Sequence, residues 1–426
     1  MVLLAAPALA QAPAANPPAP PAAATASSSA DDKIRDLEDR IIALENEVRT
    51  LKEHQGAAAP VSSQAAATGA APESTAQAAA SAQNQPAPES APQDAANLGG
   101  ATSMAKALNP DISLIGNFIG TMGHNGVAGI PSLEMRESEL GVQAVVDPYA
   151  RADFFISFGE EGVSLEEGYI TFTALPAGFV AKVGKMRSAF GKVNTMHSHV
   201  LPWIDRPVVT DNLVGGEDGI NDAGFSITRA FAGPGGLYLE ATGQVFRGDS
   251  DGVFVASRNS DVSAVAHLRG YRDITESTNL DIGLSYARGH NDLGSNFITS
   301  LYGVDATLRW KPLRRSIYHS FIARSEFVWS QRQQPTVEQR AFGMYASADY
   351  QLGRRWFIGG RYDLSDRATN AAITDRGGSF VVTYWPSEFA QLRSQYRYVN
   401  YPDGANGNEL RFQVMFAIGA HGAHPF

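Results

Sequence analysis

Cysteine is absent from all 426 residues, which excludes a disulfide framework, a thiolate nucleophile and a thiolate metal site. Long apolar runs are absent too. Hydrophobic residues make up 44 % of the chain, yet none gather into the ~18-residue stretch a spanning helix needs, so this is not a helical membrane protein. Positive charge is not in excess: the net charge is −10, against a nucleic-acid partner. Lysine is scarce, with 24 Arg but 5 Lys in residues 106–426. No G-x-S-x-G elbow, P-loop or dinucleotide fingerprint stands in a strand–helix context, so neither an enzyme nor a bound cofactor is expected.

What is present falls into five parts. Residues 1–10 form a short apolar stretch ending in Ala8-Leu9-Ala10, the pattern of a secretory signal peptide cut after Ala10, although the usual basic residues before it are missing. Residues 11–30 are Ala/Pro/Ser-rich and cannot bury enough surface to fold. Residues 31–54 carry Ile34, Leu37, Ile41, Leu44, Val48 and Leu51 at alternating spacings of three and four, the seam of an α-helical coiled coil. The Ile/Val and Leu placement alone leans towards two strands. Arg40, Ile41, Leu44 and Glu45 instead match the R-h-x-x-h-E pattern of short trimers, and a trimer is expected. Residues 55–108 are a low-complexity Ala/Pro/Gln linker. Residues 109–426 change to period two.

Leu237, Leu239, Ala241 and Val245 alternate with Tyr238, Glu240, Thr242 and Gln244. Leu410, Phe412, Val414 and Phe416 alternate with Arg411, Gln413 and Met415. Such rows put one face on apolar and one on polar surroundings. Segments of ~10–14 residues suit a tilted membrane crossing better than a soluble sandwich. Aromatics at segment ends (Trp310, Trp329, Trp356, Tyr384, Trp385, Tyr398, Tyr401) suit interfacial girdles. Sixteen segments are expected: 110–120, 133–146, 150–158, 164–174, 178–188, 223–231, 236–247, 262–273, 277–289, 297–311, 316–330, 338–351, 355–364, 376–385, 388–400 and 408–419. The fold class expected is all-β, a sixteen-stranded antiparallel transmembrane barrel with an N-terminal coiled coil. Connections alternate between tight and long, as periplasmic turns and external loops do. The longest, 189–222, is expected to fold inward as a constriction loop carrying His197, His199, Trp203, Asp205, Arg206, Asp211, Glu217 and Asp218.

Ile112 to Phe118, Leu165 to Gly191 and the tail Phe416 to Phe426 resemble the corresponding segments of outer-membrane porins of the phosphate-selective porin O/P and DcaP-like superfamily. Relatives with a similar tail are often labelled zinc-regulated TonB-dependent outer membrane receptors. The resemblance covers the barrel, and DcaP-type members also carry a periplasmic coiled coil. It implies a homotrimer of sixteen-stranded barrels in the outer membrane of a Gram-negative bacterium, passing small anionic solutes of phosphate or dicarboxylate type.

Assigning the polar rows inward lines the lumen with Arg269, Arg309, Arg324, Arg361, Arg393, Arg397 and Arg411, the last four forming a basic wall suited to weak anion preference. His197-Ser198-His199 is a weak chelation signal with Asp205, and a polar loop without metal is expected instead. The partners expected are outer-membrane lipid and lipopolysaccharide, further copies of the chain, and peptidoglycan, which the N-terminal segment could reach. Two alternatives are a TonB-dependent-type metal uptake receptor and an envelope-tethering structural protein.

Overall fold

The computed structural model describes residues 110–419, apart from 128–130, 161, 251 and 403. The signal peptide, the coiled coil, the linker and the tail histidines His421 and His424 lie outside the described residues. Within them the chain makes sixteen strands: β1 (Asp111–Asn125), β2 (Leu133–Asp147), β3 (Ala150–Gly159), β4 (Gly162–Phe172), β5 (Phe179–Arg187), β6 (Asn221–Ala232), β7 (Tyr238–Phe246), β8 (Ser263–Thr275), β9 (Thr278–Asn291), β10 (Gly294–Trp310), β11 (Phe321–Gln333), β12 (Glu338–Gln351), β13 (Trp356–Arg367), β14 (Asn370–Ser387), β15 (Ala390–Asn400) and β16 (Asn406–Gly419). Each pairs antiparallel with its neighbours in sequence. β1 closes the barrel on β16, with Ser113 opposite Gly419 and Asn125 opposite Gly407. Closure leaves no unpaired edge, the condition for strands to sit in lipid.

Period two decides which side chain meets which medium. Ile112, Leu114 and Phe118 of β1, Phe225 and Ile227 of β6, and Leu410, Phe412, Val414, Phe416 and Ile418 of β16 stand exposed on the outside. That is an apolar belt which water would penalise and hydrocarbon would not. Aromatic pairs sit on it, Trp356 with Tyr384 at 4.5 Å and Trp329 with Phe342 at 5.4 Å. Two residues expected in those girdles turn the other way. Trp385 follows Tyr384 and so points inward, where it packs with Ile115, Met415 and Ala417, and Tyr401 is buried as well.

All sixteen expected segments are strands, but several connections differ. The external connections expected at 290–296 and 365–375 are hairpin extensions closed by Asp292-Leu293 and Ala368-Thr369. Pairing continues past the lipid because polar side chains knit it: Arg367 bonds Asp375 at 3.0–3.1 Å and Thr374 bonds Asp366 at 2.6 Å. β14 reaches 18 residues, well beyond the ~9–11 that span the hydrocarbon. Conversely, β11 begins at Phe321 rather than 316. A turn on the Arg315 carbonyl and a bond from the Gln351 amide to the Ile317 carbonyl hold residues 311–320 out of the ladder.

Besides irregularities at hairpin ends, two bulges interrupt the alternation within the strands. Asn117 faces Glu137 and Phe118 faces Met135, so Arg136 is an extra residue in β2. Phe155 faces Glu167 and Ile156 faces Leu165, so Glu166 is an extra residue in β4. Each re-aims a charged side chain next to the inner loop described below.

Candidate functional site

Residues 188–220 leave β5 and return to β6 through the inside of the barrel. Their neck is shut by the Ser188 amide bonding the Ile220 carbonyl at 2.8 Å. Asn194 staples it: its amide group donates to the carbonyls of Ser188 and Ile220, and its side-chain oxygen accepts the Ile220 N–H. Gly219, in the left-handed region at φ 64°, leaves the space Asn194 needs, since a Cβ there would lie 2.0 Å from the Asn194 oxygen.

Beyond the neck, Phe190, Val193, Leu201, Trp203, Val209, Leu213 and Val214 are buried against inward residues of the wall, among them Leu301, Val328, Tyr345 and Val381. Val209 and Leu213 come from the short helix α1 (Val208–Leu213). These apolar wall residues would be misplaced in a water-filled lumen; the loop covers them. The wall also supplies room. Inward glycines Gly289, Gly303 and Gly343 face Phe254, Phe190 and Val209, and a Cβ on Gly343 would lie 2.6 Å from Val209. Phe254 belongs to a second inward segment, 247–262, held by the Asp222 carboxylate accepting the Gly248 and Asp249 amides at 2.8 and 2.7 Å. The Glu326 carboxylate likewise accepts the Lys192 and Val193 amides, at 3.2 and 3.3 Å.

The polar anchors of the loop are the arginines of the last strands. Arg361 bonds the Asp205 carboxylate at 3.0 Å, the Asp205 carbonyl at 2.9 Å and Asp363 at 2.7 Å, with its guanidinium over the Trp203 ring at 4.8 Å. Arg397 forms an ion pair with Asp205 at 2.9 Å and bonds Glu409 at 3.2 Å, and Arg411 bonds Glu409 at 2.9 Å. Gln395 also donates to Asp205. Arg393 is met by neutral oxygens, the carbonyls of Leu201 and Trp203, Gln413 and Thr383. Burial alone would raise the Asp205 carboxyl, but Arg361, then Arg397 and Arg411, outweigh it and hold it well below the usual carboxylate range. Trp203 also packs edge-on against Tyr345 at 5.2 Å.

The seven sequence-predicted arginines therefore divide. The Arg361, Arg397 and Arg411 side chains are 0 %, 7 % and 5 % exposed beneath the loop. Arg269 and Arg309 are 23 % and 29 % exposed and converge on Asp281 at 2.8 and 3.6 Å, while Arg324, 16 % exposed, pairs with Asp349. Lys192 of the loop reaches Asp281 too, at 3.6 Å.

The remaining loop residues scatter. Arg206 is spent inside the loop on the carbonyls of Val193 and Met196. Glu217 pairs with Arg136 at 3.0 Å, and the carbonyls of Glu217 and Asp218 receive Arg187 at 3.2 and 2.8 Å. Of the loop acids expected to face the basic wall, Asp205 makes a direct ion pair with it. Asp211 is solvent-accessible, but the water it meets lies inside the barrel, crowded by protein. That confinement, and then the charge of Asp205, push its carboxyl up to about 7.

His197 and His199 lie away from Asp205. His197 Nδ1 is 2.8 Å from Glu139 and 2.9 Å from Glu166, and His199 Nδ1 is 3.6 Å from Glu139. Burial opposes a charged ring, but bonds from Glu139, Glu166 and Glu167 win and hold the His197 pKa well above the usual imidazole value. Period two holds no sign that these acids meet the histidines, because the Glu166 bulge is invisible to such a count. Asn194, Glu326 and the three wall glycines were missed for a related reason: each is ordinary until the loop is placed.

A closed antiparallel barrel with an apolar exterior, charged interior rows and a loop crossing its lumen defines a transmembrane β-barrel. Comparison with known proteins narrows this. No protein-family model matches the chain. An uncharacterized protein of Aquifex aeolicus is 28 % identical over 390 residues, which cover 75 % of this chain and 81 % of its own length. The anion-selective porin from Comamonas acidovorans is similar in structure at a TM-score of 0.51, with 11 % identity over 73 % of this chain and 100 % of its own. The outer membrane channel DcaP of Acinetobacter baumannii follows at 0.49, with 13 % identity over 73 % of this chain and 97 % of its own. The fold is that of the sixteen-stranded outer-membrane porins. This is a broader likeness than the phosphate-selective family the sequence resembles.

Proposed function

We propose that this protein is an outer-membrane porin, a passive channel for small hydrophilic solutes that favours anions, with residues 188–220 as its constriction. The observation that carries the reading is a closed, lipid-compatible barrel whose inner loop is fastened by Asp205 to Arg361 and Arg397. The anion preference rests on Arg269, Arg309 and Arg324, which remain in reach of lumen water, rather than on the four arginines beneath the loop. Because each has an acid beside it, the preference is weak. In a narrow pore, partly compensated charge still biases permeation by sign. The even strand count puts both ends of the barrel on the side of the tight turns, which supports a periplasmic N-terminal segment, and the heptads of that segment would build a homotrimer. A TonB-dependent receptor would need about 22 strands around a folded plug, and the barrel has sixteen.

The test is the reversal potential across planar bilayers. Replacing Arg269, Arg309 and Arg324 together by Gln should move it towards cation selectivity at low salt, with the difference screened in molar salt. An unchanged reversal potential would show that these arginines only brace the wall.

A further inference from the structure

We propose that Glu137, Glu139 and Glu166, with His197 and His199 of the inner loop, form a binding site for a first-row divalent transition cation that clamps the loop to β2 and β4. The donors are already gathered. Ligand atoms of Glu139, His197 and His199 all lie within 4.8 Å of one another, and so do those of Glu137, Glu139 and Glu166, with Glu139 common to both sets. Ligands about 2.0–2.2 Å from a metal stand roughly 3–4 Å apart, so side-chain rotations, without backbone movement, would complete the sphere.

The charge count points the same way. Glu137, Glu139, Glu166 and Glu167 bring four carboxylates to one patch of inner wall. Against them stand Arg187, bonded to Glu166 at 3.2 Å, the His197 ring and, towards Glu167, Lys182. Arg136, the nearest other cation on β2, is turned away to Glu217. Even a positive His197 offsets only one carboxylate and leaves an excess of negative charge in a crowded site, which is costly without a cation; on taking the ion the ring would release that proton, since a metal binds only the neutral imidazole.

The independent sign is Glu137. It is 6 % exposed, and among the described residues no N–H or hydroxyl reaches either of its oxygens, so it can be matched only by a proton shared with a neighbouring carboxyl or by a cation. What faces it is another carboxylate, Glu166. Buried unpaired carboxylate oxygens are rare in folded proteins and call for an unplaced ion or water. Glu166 reaches this point because it is the extra residue of the β4 bulge, a device that re-aims a side chain at the cost of ladder pairing.

Donor chemistry sets the class of ion. Two imidazoles among carboxylates suit Zn²⁺, Mn²⁺ or Ni²⁺; Ca²⁺ and Mg²⁺ prefer all-oxygen shells. Bound there, the ion would join strands β2 and β4 to the loop on a different stretch of wall from the Asp205 anchor.

The full-length protein in detergent is stripped with EDTA, dialysed, and titrated with Zn²⁺, Mn²⁺ and Ni²⁺ by calorimetry, with bound metal counted by mass spectrometry and Mg²⁺ as the control. One equivalent per chain of at least one transition ion is expected, weakened at least tenfold in H197Q/H199Q and in E137Q. E137Q keeps shape and hydrogen-bonding capacity, and heat-modifiable gel mobility shows whether each variant has a closed barrel. Absence of stoichiometric binding overturns the proposal. So does binding that survives in folded H197Q/H199Q, which would place the ion elsewhere, for example on His421 and His424.

Discussion

Asp205→Asn is the sharpest perturbation of the inner loop. It preserves shape and removes one charge on which two buried guanidiniums converge, at 3.0 and 2.9 Å. Breaking a buried ion pair from one side costs about 3–5 kcal/mol. Arg361 keeps Asp363 at 2.7 Å and Arg397 keeps Glu409 at 3.2 Å, so the wall retains its own pairs and the low end applies. About 3 kcal/mol taken from the docked loop shifts its docked-to-undocked ratio roughly a hundredfold. The barrel, whose ladder does not involve Asp205, should stay closed and heat-modifiable on gels. Single-channel recordings should then show a larger mean conductance or flicker between two levels. Lys192, whose side chain is 12 % exposed in the docked loop, provides a second readout, because trypsin should cut after it once the loop swings free. Wild-type conductance noise together with an uncut Lys192 over the same digestion time would refute the reasoning, since it would mean that the apolar contacts alone hold the loop.

Gly343→Leu should open the channel in the same direction, because the new side chain occupies the space of Val209; crystallography or trypsin sensitivity of the loop checks it. Lowering the pH from 8 to 6 should raise the anion preference, because protonating Asp211 removes a negative charge from the lumen, and Asp211→Asn should flatten that profile. The sign for stability follows from the raised carboxyl: loop docking favours the protonated form, so its contribution falls as pH rises through about 7. Deleting residues 31–54 should shift the detergent-solubilised protein from trimer towards monomer while each barrel stays closed, as light scattering and heat-modifiable mobility would show; an intact trimer would move the contact to the barrel walls.

The strands were legible because lipid and water impose opposite demands on alternate residues, and sixteen stretches such as Leu410 to Ile418 record them. Interior parity was legible for the same reason, down to Arg361, Arg393, Arg397 and Arg411 all pointing inward. What that pattern cannot express is pairing in space. Nothing in period two distinguishes an arginine lining open water from one capped by Asp205, which lies more than 150 residues away in sequence. Bulges were equally hidden, since Arg136 and Glu166 look like ordinary members of their rows. Strand ends were misjudged at 290–296 and 365–375 because hydropathy fades where the lipid stops, whereas backbone pairing goes on. The segment 247–262 shows a further limit: Val253 and Phe254 read as loop residues, yet they are buried inside the barrel.

The seam between β1 and β16 has a consequence for assembly. Asn117 and Gln413 bond across it at 2.9 Å, and Gln413 in turn accepts from Arg393, which holds the Leu201 and Trp203 carbonyls of the inner loop. Joining ends about 300 residues apart carries roughly 3 kcal/mol more closure entropy than a ten-residue hairpin, so this pair is the natural last step of folding. Of the three basic-wall arginines that contact the loop directly, Arg393 and Arg397 sit on β15, and Arg411 of β16 braces Arg397 through Glu409. Until those strands are in place the loop lacks its bonds from Arg393 and Gln395 and its ion pair with Arg397. Constriction is thereby ordered in time after closure. A chain truncated before β15 should present residues 188–220 to protease even if its earlier strands are paired, whereas the complete chain should protect them from the moment the seam forms.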